Sequence, residues 1–204
     1  MKMLAQMLTL VVLLAGGSAA LAQQSATTDD SSDSVIDRPG QIPTLGDQEK
    51  EELERARLLL STHHELPAKK VFEEQLEEPR ETLTAIAVDE DQLSLYRKQA
   101  LAALGYWPDV KVYELYTEML GDDQTPENMR HRLILLLADH FPEQALGELE
   151  PYLSDEDLQF RLTAIEAIGR LDTSKAVEAL EEARTEETND VARERLDEAI
   201  EDRR

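Results

Sequence analysis

The side chains best suited to acid–base or metal chemistry are few and scattered in this chain. It contains four histidines (His63, His64, His131 and His140) and no cysteine. His63, His64 and Glu65 form the one cluster, but a metal centre needs three or four converging ligands and no second His-Glu pair completes it. The cluster falls where a helix is expected to end, and there a histidine is stabilised by the dipole. His140 is expected to be a partly buried turn residue. A thiolate nucleophile is excluded, and neither a Gly-x-Ser-x-Gly elbow nor a Gly-rich phosphate loop occurs. The acidic residues number 44, so a neighbouring pair of carboxylates carries little information about catalysis. These residues predict neither an enzyme nor a cofactor.

Spacing says more. Arg97, Arg130, Arg161 and Arg193 follow the acidic stretches Asp89-Glu90-Asp91, Asp122-Asp123, Asp155-Glu156-Asp157 and Asp190. A forked guanidinium bonds a carboxylate and free carbonyls together, so these four predict a structural Arg–Asp ladder between neighbouring units. A row of anion-binding arginines is the rival, disfavoured by the carboxylates around them. The Asp-x-Asp spacings suit calcium in principle. None has the Gly-containing twelve-residue loop ending in Glu, and capping of helix N-termini is the expected role.

Aromatic residues are 4% of the chain, yet Tyr96, Tyr106, Trp107, Tyr113 and Tyr116 crowd into one stretch. Packing against the preceding segment accounts for Tyr96 and Trp107. Tyr113 and Tyr116 lie three residues apart on one helix, with Glu114 and Glu118 beside them. Tyrosine buries large area and keeps a polar handle, so these four are the candidate partner contacts, with core packing the alternative for the two tyrosines.

These residues are positioned by a repeat. The run Tyr96-Arg97-Lys98-Gln99-Ala100-Leu101-Ala102-Ala103-Leu104-Gly105 matches Phe160-Arg161-Leu162-Thr163-Ala164-Ile165-Glu166-Ala167-Ile168-Gly169, 64 positions later. Copies starting at Met129 and Ala192 give a period of about 32. Apolar residues recur at helical spacing in each first helix. A second helix follows, opened by Pro108, by Pro142 and by Asp172 or Thr173. No alternating period-2 segment predicts a sheet. The Arg-x-x-Ala-h-x-Ala-h-Gly core (h aliphatic) resembles HEAT-like repeats, the short variety also found in phycobilisome lyases. The resemblance covers about 91–201, with a weaker extension back to Gln48. The second copy has Leu133 and Ala138 in place of Ala and Gly, and the last has Asp197 in place of the aliphatic residue. It implies an all-α fold, a right-handed α-solenoid of stacked antiparallel helix pairs whose second helices line a concave binding face.

The remaining regions divide clearly. Lys2, the apolar run Met7–Ala15 and Ala20-Leu21-Ala22 predict a signal peptide over 1–22 cleaved before Gln23, hence a periplasmic or secreted protein. Residues 23–47 read as a disordered acidic linker, 48–90 as a divergent N-terminal helical cap, and 91–204 as the repeats. The net charge of −23 repels nucleic acid and anionic lipid, and no membrane insertion is expected after cleavage. A basic protein or peptide is the expected partner, with collective binding of cations by the carboxylates the alternative.

Overall fold

The computed structural model describes residues 45–61 and 65–203. The expected signal peptide, most of the linker, and His63 and His64 lie outside the described residues. Among those described, the chain is all helix. The order is α1 (Leu45–Leu60), α2 (Lys69–Gln75), α3 (Pro79–Val88), α4 (Ser94–Leu104), α5 (Val110–Gly121), α6 (Glu127–His140) and α7 (Pro142–Leu149). A 3₁₀ segment (Glu150–Ser154), α8 (Leu158–Gly169), α9 (Ser174–Glu186) and α10 (Asp190–Glu201) complete it.

The first helices α4, α6, α8 and α10 pack side by side in chain order, and the second helices α5 and α9 pack against the first helix that follows them. Burial follows the sequence stripe. Ala100, Leu133, Ala164 and Leu196 occupy one register position in successive first helices, and all are buried. Small and large residues alternate there, so each leucine fills the space left beside an alanine, as close packing requires.

Local chemistry sets the helix ends. Asp109 accepts from the amides of Lys111 and Val112 at 3.0 and 3.1 Å, so α5 starts after the expected Pro108. Thr173 caps α9 through the Ala176 amide at 3.1 Å, and Asn189 caps α10 through Val191 and Ala192. Pro142 opens α7. Pro151 brings no amide hydrogen, and there the helix gives way to the 3₁₀ segment.

The segment before residue 90 is built on the same plan. Helix α1 packs on α3 and α4, as a first helix does, and α3 packs on α4, as a second helix does. Ala56, Arg57 and Leu60 stand where Tyr96, Arg97 and Ala100 stand in the next unit. The short helix α2 lies between the pair and lengthens the spacing, which hides the repeat from a fixed-period reading. Phe72 of α2 is fully buried, 6.2 Å from the Tyr106 ring. Lys69 lies over Trp107 at 5.2 Å, and the Tyr106 hydroxyl donates to the Pro67 carbonyl at 3.1 Å. The aromatic crowding of the first repeat therefore serves in part to seat α2.

Candidate partner-binding face

The loops between units share one device. Asp89, Asp122, Asp155 and Glu187 each accept the amide of the residue two positions on: Asp91, Gln124, Asp157 and Asn189. The last copy of the acid is thus Glu187 rather than Asp190, which stands in the first turn of α10.

Three of the four arginines bond carbonyls at these junctions. Arg97 is buried and its Nε donates to Ala87 O at 3.0 Å. Arg161 donates from Nη1 to Asp155 O at 2.8 Å and Glu156 O at 3.1 Å, and Arg193 donates to Glu187 O at 2.6 Å. A carboxylate rung between units forms at Arg161, whose Nε lies 2.8 Å from Glu187 Oε2, with only 6% of the Glu187 side chain exposed. Burial pushes the Glu187 carboxyl up, but the Asn189 amide, Arg161 and the Thr188 amide outweigh it and hold the pKa below 4.5.

Arg130 is less well served. It lies over the Phe160 ring at 4.7 Å and reaches Asp123 at 3.6 Å, while its Nε is buried and bonds nothing among the described residues. Sequence reasoning missed Arg57, which donates from Nε to Gln92 Oε1 at 3.0 Å while Gln92 donates to Asp89 at 2.6 Å. The signal was its place beside Ala56 and Leu60.

The nominated partner contacts separate. Tyr116 is fully buried and its hydroxyl donates to the Leu101 carbonyl, so it is a core residue and not a contact. Burial raises its pKa far above the ordinary phenol value. The physical reason is helical phase: Tyr116 lies four residues after buried Val112, while Tyr113 lies one. Tyr113 is half-buried. Its ring meets Phe141 at 5.4 Å and its hydroxyl donates to Glu148 at 2.9 Å, which ties α5 to α7. Glu114 and Glu118 are exposed.

Glu118 also borders a groove. Val88, Arg97, Leu115 and Met119 line a groove of about 240 Å³, with Glu90, Glu118 and Asp122 at its edge. Two units on, Arg161, Leu153, Ala179 and Ala183 line one of about 340 Å³, edged by Glu150, Glu182, Glu186 and Glu187. Arg97 and Arg161, Leu115 and Ala179, Glu118 and Glu182, Met119 and Ala183, and Asp122 and Glu186 are all 64 positions apart. The grooves are the same place in two units. Glu90, Glu118, Glu150, Glu182 and Glu186 are exposed and have no cationic partner among the described residues. Such a groove can accept the apolar stem of a lysine or arginine and neutralise its head. The groove between α1 and α3, about 530 Å³, is also acidic, but Glu52 within it is taken up by the amides of Glu77 and Glu78.

His131 and His140 serve packing. His131 stacks on Phe160 at 4.2 Å and pairs with Thr163 at 2.9 Å. His140, half-buried at the end of α6, lies against Gly105, where an added Cβ would meet its Nε2 at 2.1 Å. Burial holds its pKa below 6.5, with Arg132 acting in the same direction and Asp139 opposing. Among the described residues no helix is long and apolar enough to cross a membrane, and no three His, Asp or Glu side chains are grouped to hold a metal.

A comparison with curated proteins finds no match. The family model for HEAT repeats matches residues 122–201, from the Asp122 loop through α10. Repeats of this kind generally serve as scaffolds for protein–protein interaction, through the extended surface their stacked units present. Residues 122–201 therefore carry HEAT-like repeats, and α4 and α5 are packed on the same plan ahead of the matched span.

Proposed function

We propose that this protein is an exported, non-catalytic scaffold that holds a basic protein or peptide on the face formed by its second helices. The observation that carries the reading is the recurrence of an apolar-walled, acid-edged groove at matching positions of two units. Stacked helix pairs offer an extended concave surface, and unpaired carboxylates along it select cationic side chains over anionic ones. Glu118 and Glu114 are the contacts retained from the sequence, with Tyr113 beside them as an aromatic edge. Export is supported by the apolar run Met7–Ala15 and the Ala20-Leu21-Ala22 pattern.

A photoreactive residue placed at position 114 in living cells tests the partner. A basic protein should crosslink there, and the yield should drop in Glu118→Arg. An acidic neighbour, or a yield indifferent to Glu118, overturns the assignment of this face. Cell fractionation followed by N-terminal sequencing tests export. The mature chain should begin at Gln23 outside the cytoplasm, and an intact Met1 inside it would refute that part.

A further inference from the structure

We infer that the two grooves act together, as a reader of two basic side chains held a fixed distance apart in one extended segment of the partner. This rests on the scaffold reading above and specifies what that face recognises. The grooves correspond at their arginine and along the second helix, with Glu118 beside Leu115 and Met119 in one and Glu182 beside Ala179 and Ala183 in the other. The positive charge beneath them is already committed: Arg97 is buried on the Ala87 carbonyl and Arg161 is bonded to Glu187. The free rim carboxylates therefore set the sign of the side chain each groove takes.

Geometry sets the spacing. The grooves are two units apart, and packed helices lie about 8–10 Å from axis to axis, so the separation is about 16–20 Å. A segment that fills one groove brings its second basic residue to the other at high effective concentration only if that distance is matched.

Polyproline peptides provide the ruler. They rise about 3.1 Å per residue with three residues per turn, so lysines at i,i+3, i,i+6 and i,i+9 share one face at about 9, 19 and 28 Å. Fluorescence anisotropy at low salt measures each against the folded repeat protein. The i,i+6 peptide should bind about tenfold or more tighter than the other two or a one-lysine control. Glu118→Arg and Glu182→Arg should each reduce it to the one-lysine level, with helicity checked by circular dichroism. Equal affinity at all three spacings, or loss from only one of the two reversals, overturns joint reading and leaves the basic-partner scaffold standing. Failure of every lysine peptide to bind overturns both.

Discussion

The second and fourth units put the same residues in register and seal them to their neighbours differently. In the fourth, Glu187 is long enough to bond the loop amides with one oxygen and Arg161 with the other. Between the third and fourth, at the loop before α8, the equivalent acid is Asp155, one methylene shorter. It bonds the Asp157 amide, and the Arg130 Nε that corresponds to Arg161 stays unpaired. The glycine ends differ likewise. His140 and Arg203 each stand ten residues after their unit's arginine, and each covers the glycine ending an earlier first helix. His140 presses its ring on Gly105, while Arg203 donates to the Gly169 carbonyl at 2.7 Å and Ala199 takes the close contact. A repeat thus preserves the backbone plan while leaving the strength of each junction to one side chain.

Replacing the two acids breaks this comparison most directly. Glu187→Ala removes the counter-charge of a mostly buried guanidinium, leaving it only its bonds to the Asp155 and Glu156 carbonyls, and is expected to cost about 3 kcal/mol in denaturant unfolding. Asp155→Ala loses only a loop bond and should cost about 1 kcal/mol or less. Equal costs would show that the rung adds nothing. Glu187 also carries a pH signature. Its folded pKa lies below 4.5, so its contribution is complete above that value and is lost as pH falls through the lowered one. The acid limb of the thermal-stability profile should be shallower in Glu187→Ala than in the parent.

The glycine junctions come next. Gly105→Ala drives a methyl into His140 and should cost about 2 kcal/mol, whereas Gly169→Ala meets Ala199 at 3.2 Å and should cost less than about 1 kcal/mol. The Gly105 backbone is ordinary helix, with φ of −59°, so the penalty comes from the ring and should largely vanish when His140→Ala is already present. Protonation gives a second readout. The folded pKa of His140 is lowered, so the unfolded chain takes up the proton first and stability falls as pH drops below 6.5. In Gly105→Ala, with the ring displaced toward water, the loss of melting temperature between pH 7.5 and 5.5 should shrink.

The smallest effect sharpens the comparison most. Asp155→Glu restores the missing methylene and should stabilise the protein by about 1 kcal/mol if the longer arm reaches Arg130 Nε. The gain should disappear in an Arg130→Lys background, where the Nε position is lost. No gain in the parent would mean that chain length is not what leaves this rung open.

The paired first helices were legible in the sequence because Arg-x-x-Ala-h-x-Ala-h-Gly ties polar and apolar positions to a single phase. The burial of Tyr116 was also legible in principle, through its i+4 relation to Val112, but proximity to Tyr113 suggested a shared face. Helical positions three apart still differ by about 60° in direction, and on α5 that difference separates core from edge. The N-terminal unit was hidden by α2, since an inserted helix changes the period without changing the packing. The grooves could not be read at all. They arise where the end of one helix meets a loop about 25 residues away in sequence, and periodicity along one helix carries no information about that meeting.

Glu52 illustrates how far one end of such a stack depends on a single side chain. Its Oε1 accepts from the amides of Glu77 and Glu78 at 2.8 and 3.0 Å and from the Thr82 hydroxyl at 3.1 Å. Helix α1 therefore supplies the missing N-terminal cap of α3, which has no side-chain cap of its own. Trimming the protein to begin after Glu52 would remove that acceptor while leaving α3 and α4 in the chain. The smallest autonomous fragment must start upstream of it, and its onset of folding on progressive truncation should fall at this glutamate rather than at the border of the recognisable repeats.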